Sequence, residues 1–203
     1  ELENPQPKLF MLGNEAVALG SLTSGAKFMS AYPITPSSEI MEYMVKYAPA
    51  EGGVMLQTED EISACTMAIG AAYAGARAFT ATAGPGLSLM AEAIGLAEMT
   101  ETPLVVIDTQ RGGPSTGLPT KHEQSDLMAA IYNTHGDTAK IVISPSSIEE
   151  SFYDTFEAFN LAEEYQCPVI VLSDLQLSLG KQSVTSLDYG KLQVRRGKLV
   201  KDG

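Results

Sequence analysis

The sequence is poor in cysteine, histidine and basic residues, and each shortage excludes a class of protein. Cys65 and Cys167 lie far apart, which excludes a disulfide scaffold, a paired-cysteine zinc or thioredoxin motif and a self-contained four-thiolate iron–sulfur cluster. His122 and His135 have no metal-ligand neighbour at a useful spacing. With 13 basic against 25 acidic residues, the net charge of -12 argues strongly against a nucleic-acid binder, which needs a basic face to neutralise phosphates.

The sequence also lacks a long apolar run and a secretion signal. No uncharged apolar run approaches the ~20 residues that a membrane-spanning helix needs. No basic and then apolar leader opens the chain. We therefore expect a soluble cytoplasmic protein with no membrane contact. Because the first residue is Glu1 rather than Met, we also expect the chain to be a piece of a longer polypeptide.

The 203 residues do contain a regular alternation of short apolar runs and longer helical patterns. The apolar runs are uninterrupted and bounded by Gly, Pro or Ser, which is typical of strands covered on both faces. They predict an α/β fold with an open, mostly parallel, doubly wound sheet and helices on both faces. The predicted strands are Lys8–Leu12, Ala26–Tyr32, Val54–Gln57, Ala76–Thr80, Leu104–Asp108, Ile141–Ile143 and Val169–Leu172.

Three polar segments predict where helices begin. Thr35-Pro36 places a capping residue before a proline at the first helical position. Capping boxes are predicted at Thr58–Glu61 and at Ser146–Glu149. Behind the second box, apolar side chains recur at helical spacing and predict one buried helix face. These side chains are Ile148, Phe152, Phe156 and Phe159.

Charge divides the chain into two parts. Residues 1–185 are strongly acidic, whereas residues 186–203 are basic. We interpret the first part as one domain and the second as a basic linker toward a further domain. An arm that docks on an acidic partner is the alternative. The basic side chains of the second part are Lys191, Arg195, Arg196, Lys198 and Lys201.

Four loops follow predicted strands, where α/β sheets bind their ligands. In the first, Tyr32–Ser38, the Thr35 hydroxyl precedes a predicted helix N-terminus that could bind an anion. By spacing alone, an ordinary helix cap is the more frequent explanation. In the second, Gln57–Glu61, Glu59 directly follows an apolar strand. Its carboxylate either lies in a crevice, as a hydrogen-bond partner or acid, or simply complements the helix dipole.

The third loop, Thr80–Ser88, contains Gly84 and Gly86. These glycines would allow a flat ligand or another backbone to approach closely. The alternative is that they only form a tight turn between a strand and a helix. It is neither a Walker loop nor a GxGxxG loop. The fourth loop, Thr109–Lys121, is long and rich in Gly, Pro, Ser and Thr. Its Arg111 follows a buried strand end, which favours a grip on an anionic substrate over a plain surface loop.

In this order, the loops resemble one family: the pyrimidine-binding domain of the alpha subunit of 2-oxoacid:ferredoxin oxidoreductases, most like the 2-oxoglutarate type. The resemblance covers roughly residues 8–180, and its specificity comes from the linked order of the motifs. The matching stretches are Gly13–Ala16, Tyr32–Pro36, Gln57–Glu61, Gly84–Gly86, Arg111–Gly117, Pro119–Lys121, Gln124-x-Asp126 and Thr134–Asp137.

The resemblance implies that thiamine diphosphate binds at an interface between this domain and a partner. By motif match, Glu59 would hydrogen-bond the pyrimidine nitrogen and favour the tautomer that takes the proton from thiazolium C2. Thr35 and Arg111 would contact the 2-oxoacid substrate, and Lys121 the distal carboxylate of 2-oxoglutarate. The further cofactor contacts implied by the match are Tyr32, Pro33, Gly84 and Pro85.

The resemblance also implies partners, because the sequence has no diphosphate–magnesium motif: Thr138 stands where that motif has glycine. A beta subunit would carry the diphosphate-binding domain, Mg and a 4Fe-4S cluster, and this chain would bind no metal. The complex would decarboxylate a 2-oxoacid, transfer the acyl group to coenzyme A (CoA) and pass electrons to ferredoxin. The isolated chain would be inactive.

Two other functions stay open at this point. The domain could be a non-catalytic module that binds a small anion or tethers a partner. It could also be the pyrimidine domain of another thiamine-dependent enzyme, although such enzymes do not combine the Tyr32–Pro36 and Gly113–Gly117 loops. The substrate stays open as well, because 2-oxoglutarate, pyruvate and branched-chain 2-oxoacids differ by one pocket. One extra methylene contributes only ~1–3 kcal/mol of discrimination.

Overall fold

A computed structural model describes residues 8–198. Its strands are β1 (Lys8–Leu12), β2 (Phe28–Ala31), β3 (Val54–Gln57), β4 (Ala78–Thr82), β5 (Leu104–Gln110), β6 (Ile141–Ile143), β7 (Pro168–Asp174) and β8 (Lys181–Thr185). Its helices are α1 (Gly13–Thr23), α2 (Ser38–Tyr47), α3 (Glu61–Tyr73), α4 (Gly84–Leu89), α5 (Ala91–Met99), α6 (Leu127–Tyr132), α7 (Ile148–Tyr165) and α8 (Leu175–Leu179). Short 3-10 turns lie at Ala48–Glu51 and Tyr189–Lys191.

Six strands form one parallel sheet in the order β3-β2-β4-β5-β7-β6. Apolar side chains of α1, α2 and α7 pack on one face of this sheet, and those of α3, α4, α5 and α6 pack on the other. The predicted fold class, a doubly wound parallel sheet, is therefore confirmed. Within the described range, no helix is long and apolar enough to cross a membrane.

The strands β2, β4, β5 and β7 are present as predicted, with bounds that differ by up to two residues. Three other predicted strands differ in their surroundings. The Lys8–Leu12 strand was expected to be buried, but it lies outside the large sheet and pairs antiparallel with β8, which was not predicted. The first three residues of β1 are exposed. The strands β3 and β6 are the sheet edges. Val54 and Leu56 of β3 are exposed, so the expectation that this strand is covered on both faces is wrong, whereas the side chains of β6 pack against the core on both faces. A short apolar run does not reveal whether a strand has one neighbour or two.

The three predicted helix starts are slightly too early. The helix α2 begins at Ser38, after the proline. Asp60 caps α3, and its carboxylate accepts the Ser63 N–H at 2.7 Å. Ser147 caps α7, and its hydroxyl accepts the Glu150 N–H at 3.1 Å. Asp60 and Ser147 have extended backbone directly before the helix, a conformation that a cap requires and that spacing alone does not locate.

The long helix α7 contributes to the core on its face of the sheet and to a smaller apolar cluster with β1 and α1. The four apolar side chains predicted to form its buried face are all buried. Phe159 packs edge-to-face against Phe79 of β4, with the ring centroids 5.6 Å apart. On its other side α7 is crossed by α1, and the two backbones come so close that a Cβ at Gly20 would lie 2.5 Å from the Phe152 carbonyl oxygen. Glycine is therefore needed at this crossing.

The described part of the basic linker, residues 186–198, lies along the acidic helix α7. Arg195 forms ion pairs with Glu157 and with Glu164 of that helix. Acidic residues of the domain thus neutralise a basic residue of the same chain. Lys201 lies with the rest of 199–203 outside the described residues, and the division of the chain at residue 185 stays a prediction.

We expect Gly20→Ala to destabilise the chain and Gly70→Ala to leave it at least as stable. At Gly20 the added methyl would meet the α7 backbone, and overpacking of this kind costs ~1–3 kcal/mol. At Gly70, inside α3, a Cβ meets no atom within 4 Å, and alanine is better than glycine in a helix by up to ~1 kcal/mol. Urea unfolding measures both free energies of unfolding. Equal values would contradict the close crossing of α1 and α7.

Candidate active site

The four candidate loops meet at one edge of the sheet. Because β2, β3, β4 and β5 run parallel, their carboxyl ends and the loops that follow lie on the same edge. The chain runs outward from β2 to β3 and then returns to place β4 on the other side of β2. Open α/β sheets bind ligands outside the carboxyl ends of the strands at such a reversal.

Arg111 connects two of these loops. It directly follows β5 and is 7% exposed. Its Nη1 donates to the Thr35 carbonyl at 2.6 Å, and its Nη2 donates to the Thr116 carbonyl at 2.8 Å. Its Nε has no hydrogen-bond partner within residues 8–198. The structure thus brings together Arg111 and Thr35, two predicted site residues, and the contact uses the Thr35 backbone.

The loop after β2 is exposed but firmly held. Tyr32, Pro33 and Thr35 are all exposed on this chain. The buried Asn14 of α1 donates from Nδ2 to the Pro36 carbonyl at 2.6 Å and so fixes the loop from below. Since α2 begins only at residue 38, the Thr35 hydroxyl does not cap that helix, contrary to the sequence interpretation. The role of Asn14 was missed, although the Gly13–Ala16 motif contained the signal.

Glu59 lies on the surface of this chain. It lies two residues after the end of β3, just behind the strand as predicted, and is exposed rather than enclosed in a crevice. In the described part of the chain, no hydrogen bond engages its carboxylate. Its neighbours are fixed: the Thr58 hydroxyl donates to the Asp60 carbonyl at 2.9 Å, and Asp60 caps α3. The backbone therefore holds Glu59 in place and leaves its carboxylate available.

A cleft of about 730 Å³ lies between the start of α4 and the long loop after β5. Three predicted site residues line it, namely Gly84, Pro85 and Arg111. Its lining does not include Thr35, Glu59 or Lys121. Its other lining residues are Ser88, Leu89, Gly112, Gly113, Pro114, Ser115, Thr116, Glu123, Ser125 and Asp126.

Lys121 closes the long loop through its backbone. The Gly112 N–H donates to the Lys121 carbonyl at 2.8 Å, and the Lys121 N–H donates to the Leu118 carbonyl at 2.9 Å. Its side chain is exposed. Gly117 adopts a positive φ of 51°, and a Cβ there would lie 2.3 Å from the Gly112 carbonyl oxygen, so the tight loop requires glycine at this position.

A buried acid beneath the cleft was not predicted. Asp108, near the end of β5, is fully buried, and neither carboxylate oxygen has a hydrogen-bond partner among the described residues. Burial raises the pKa of Asp108 well above its ordinary value, and the nearby charge of Asp126 raises it further. The signal was present in the sequence, because Asp108 ends an otherwise apolar strand.

A second missed acid, Asp126, lines the cleft itself. Its N–H donates to Gln110 Oε1 at 3.0 Å, which fixes its backbone to the end of β5. Its carboxylate lies against Gly84, where a Cβ would be 2.8 Å from Oδ2. Burial and the charge of Glu123 raise the pKa of Asp126, and the charge of Arg111 opposes them. A side chain at position 84 would therefore have to displace this carboxylate.

The described residues offer little to a metal ion. Among residues 8–198, no three His, Cys, Asp or Glu side chains lie close enough together to hold one. Cys65 and Cys167 are free and buried. Burial raises the pKa of Cys65 to about 12, so this thiol stays protonated and is a poor metal ligand.

Comparison with known proteins identifies the family. Residues 20–202 match the family described as pyruvate flavodoxin/ferredoxin oxidoreductase, thiamine diphosphate-binding. The chain belongs to this family. The resemblance inferred from the ordered motifs is thereby confirmed, and so is the assignment of the fold to a thiamine-diphosphate-binding domain.

Two relatives are named as subunits of enzymes that act on 2-oxoacids. The 2-oxoglutarate synthase subunit KorA of Methanothermobacter marburgensis is 51% identical over 189 residues, which is 93% of this chain and 50% of the relative. The 2-oxoacid:ferredoxin oxidoreductase 1 subunit alpha of Aeropyrum pernix is 43% identical over 211 residues, covering 98% of this chain and 33% of the relative. This chain therefore spans a third to a half of the length of these relatives.

A solved structure of a 2-oxoacid oxidoreductase has the same fold as this chain. The 2-oxoglutarate:ferredoxin oxidoreductase from Magnetococcus marinus, with 2-oxoglutarate, coenzyme A and succinyl-CoA bound, matches with a TM-score of 0.94 and 47% identity. The match covers 97% of this chain and 34% of the solved chain. The fold of nearly the whole chain is thus that of one third of the solved chain.

Arg111→Lys should loosen the long loop. A lysine ammonium cannot reproduce the planar fork that reaches two carbonyls, so one of the bonds to Thr35 and Thr116 should be lost. We expect the amide protons of residues 112–118 to exchange at least ~10-fold faster, since a hydrogen bond to a charged group contributes ~1.5–3 kcal/mol. Hydrogen exchange of the chain measures this. Arg196→Lys, a change at a more exposed arginine far from the loop, is the control. Unchanged exchange in the Arg111 variant would refute the two-carbonyl tie.

Asp108→Asn should change how stability depends on pH. An acid with a raised pKa in the folded state favours folding fully below its unfolded pKa of ~4, and this contribution is lost as pH rises toward the folded pKa. We therefore expect the stability of the variant relative to the natural chain to rise by at least ~1 kcal/mol between pH 4.5 and 7. Urea unfolding at both pH values measures it. Asp137→Asn, an exposed change, is the control, and parallel pH profiles of all three proteins would disprove a raised pKa of Asp108.

Proposed function

We propose that this chain is the pyrimidine-binding part of the alpha subunit of a 2-oxoacid:ferredoxin oxidoreductase that acts on 2-oxoglutarate. The complex would convert 2-oxoglutarate and CoA to succinyl-CoA and CO2 and pass the electrons to ferredoxin. The names of the relatives and the ligands of the Magnetococcus marinus enzyme support this substrate. The two free cysteines support a cytoplasmic location, where thiols stay reduced.

The observation that carries the proposal is the position of Arg111. Its guanidinium is buried, is oriented by two carbonyls and lines the cleft at the carboxyl edge of the sheet. A guanidinium held in this way is preorganised to bind a carboxylate. We assign it to the carboxylate next to the oxo group of the substrate. The Thr35 hydroxyl, on the residue whose carbonyl Arg111 binds, is assigned to the same end of the substrate.

The residues at this edge fit the pyrimidine half of thiamine diphosphate. The exposed carboxylate of Glu59 is available on the rim, and the cleft contains a buried donor and a buried acceptor that have no partners among the described residues. Bound thiamine diphosphate supplies the carbon nucleophile and the electron sink for decarboxylation. Glu59 would exchange a proton with the pyrimidine nitrogen. Tyr32, Pro33, Gly84 and Pro85 are the further contacts that we assign to the cofactor.

We assign the remaining parts of the site to a partner. The described residues contain no group of metal-ligating side chains, and the thiol of Cys65 stays protonated. We therefore place the diphosphate-binding domain, Mg and the 4Fe-4S cluster on the beta subunit. The exposure of Glu59, Tyr32 and Thr35 supports this division, because it leaves these residues accessible to a second chain that would complete the site. Ferredoxin is the electron acceptor of the assembled complex.

Lys121 is our candidate for the specificity of the substrate. It is the second cation of the loop that Arg111 begins, and its ammonium is exposed while its backbone is fixed. 2-Oxoglutarate carries a second carboxylate that pyruvate lacks, and a cation at the distal end would favour the dicarboxylate.

Glu59→Gln in the assembled complex should abolish turnover without preventing assembly. Glutamine keeps the size of the side chain but cannot take up or release the proton, and loss of a general acid or base typically costs ~100- to 10,000-fold in rate. The assay is anaerobic viologen reduction that depends on 2-oxoglutarate and CoA, with gel filtration to check assembly. Glu92→Gln, at an exposed position of α5, is the matched control. Normal turnover of the Glu59 variant would eliminate its proposed role.

A further inference from the structure

The helices α3, α4 and α6 carry almost no charge, although their outer sides lie on the surface of this chain. Glu61, at the start of α3, is the one charged residue of the three helices, and it is buried. Helix α7, on the opposite side of the sheet, has acidic residues along its whole length. A surface helix normally turns charged side chains to water, and a helix that is apolar all round is normally buried. The composition of α3 therefore indicates that another surface covers it.

Large apolar side chains of α3 and of its neighbours are exposed and lie side by side. Helix α3 packs beside α4 and α5, so the outer sides of these three helices adjoin. Tyr73 is 77% exposed and Ile62 is 50% exposed. Exposed apolar surface that is continuous in this way marks a protein–protein contact. We call it the apolar face, and it consists of Ile62, Met67, Tyr73, Leu89 and Leu96.

Gly70 lies in the middle of the exposed side of α3. A Cβ at this position would meet no atom within 4 Å, so nothing in residues 8–198 requires glycine here. Glycine inside a helix costs up to ~1 kcal/mol relative to alanine. The exposed residues one turn before and after it, Thr66 and Ala74, are small and uncharged. A glycine for which this chain has no use is explained if the backbone of a second chain packs directly on α3.

The apolar face is continuous with the rim of the proposed site. Helix α3 begins two residues after Glu59, and Leu89 belongs both to the apolar face and to the lining of the cleft. At this rim the proposed function needs a chain that carries the diphosphate-binding half of the site. A second copy of this chain does not supply that half, because residues 8–198 contain no group of metal-ligating side chains. The beta subunit is therefore the chain that lies where the apolar face begins.

We propose that the apolar face is the surface on which the beta subunit packs, with the backbone of that subunit close to Gly70. The inference rests on the function proposed above and adds the surface that joins the two subunits. The centre of a protein interface is poor in charge and rich in aromatic residues and Met, as this surface is. Because α3 and α4 expose no charged side chain, the association should depend little on salt.

The test uses the full-length alpha subunit with Gly70→Glu and measures its dissociation constant with the beta subunit by analytical ultracentrifugation. We expect this constant to rise at least ~10-fold, because a carboxylate enclosed in an interface loses its water without gaining a partner. Thr66→Lys adds the opposite charge on the same side of α3 and should give the same loss, which separates enclosure from charge repulsion. Tyr165→Glu adds the same charge at the exposed end of α7 and should assemble like the natural subunit.

Urea unfolding of the alpha subunit alone shows whether the occupant is another chain. The free energy of unfolding of the Gly70 variant should equal or exceed the natural value, since the new side chain meets nothing in this domain. A loss of stability would mean that a further part of the same chain covers α3. Self-association of the natural alpha subunit that Gly70→Glu abolishes, with binding to the beta subunit unchanged, would mean that a second copy covers it. Either result overturns the proposal.

The remaining outcomes separate this inference from the function on which it rests. Natural affinity for the beta subunit in both the Gly70 and the Thr66 variants overturns the assignment of the apolar face alone. A natural complex that assembles through this face but shows no viologen reduction dependent on 2-oxoglutarate and CoA overturns the proposed function and leaves the interface in place.

Discussion

The guanidinium of Arg111 joins the loop after β2 to the loop after β5, and the shape of the site depends on this junction. The two strands are separated by β4, so their loops meet only above its end. A buried cation needs partners for its N–H groups, and the Thr35 and Thr116 carbonyls supply them. The same bonds close the long loop over the cleft and orient the guanidinium. One interaction therefore determines both the backbone of the rim and the charge that the rim presents.

Acidic groups surround this cation and limit what the cleft can bind. Asp126 faces the cleft, and Asp108 lies beneath it in a fully buried position. Two ionised carboxylates so close together would repel each other, and burial raises the pKa of both. The domain as a whole is acidic, yet part of its charge is neutralised internally, because α7 pairs with Arg195. The cleft thus combines one oriented cation with two acids whose pKa values are raised.

The site is divided between a firmly packed interior and an exposed rim. Asn14, Gln110 and Asp60 fix the loops from the side of the sheet and helices. On the outer side, Glu59 and Lys121 are exposed although their backbones are fixed. A rim of this kind has the geometry of one half of a binding site. In the proposed complex, the second half comes from the beta subunit, and burial between the subunits would bring Glu59 out of water.

The sequence by itself determined the fold class and the family, because both depend on local patterns: apolar runs of strand length, capping residues, and loop motifs in a fixed order. It placed Arg111 and Glu59 correctly after their strands. Only the tertiary structure decided that β1 leaves the sheet, that β3 and β6 are edges, that Asp126 lines the cleft, that Asp108 is buried and that Asn14 holds the loop after β2. These facts depend on contacts between residues far apart in the chain, such as the bond from Arg111 to Thr35 across 76 positions. Local propensity carries no information about such pairs, since strand order and burial are set when the whole sheet packs.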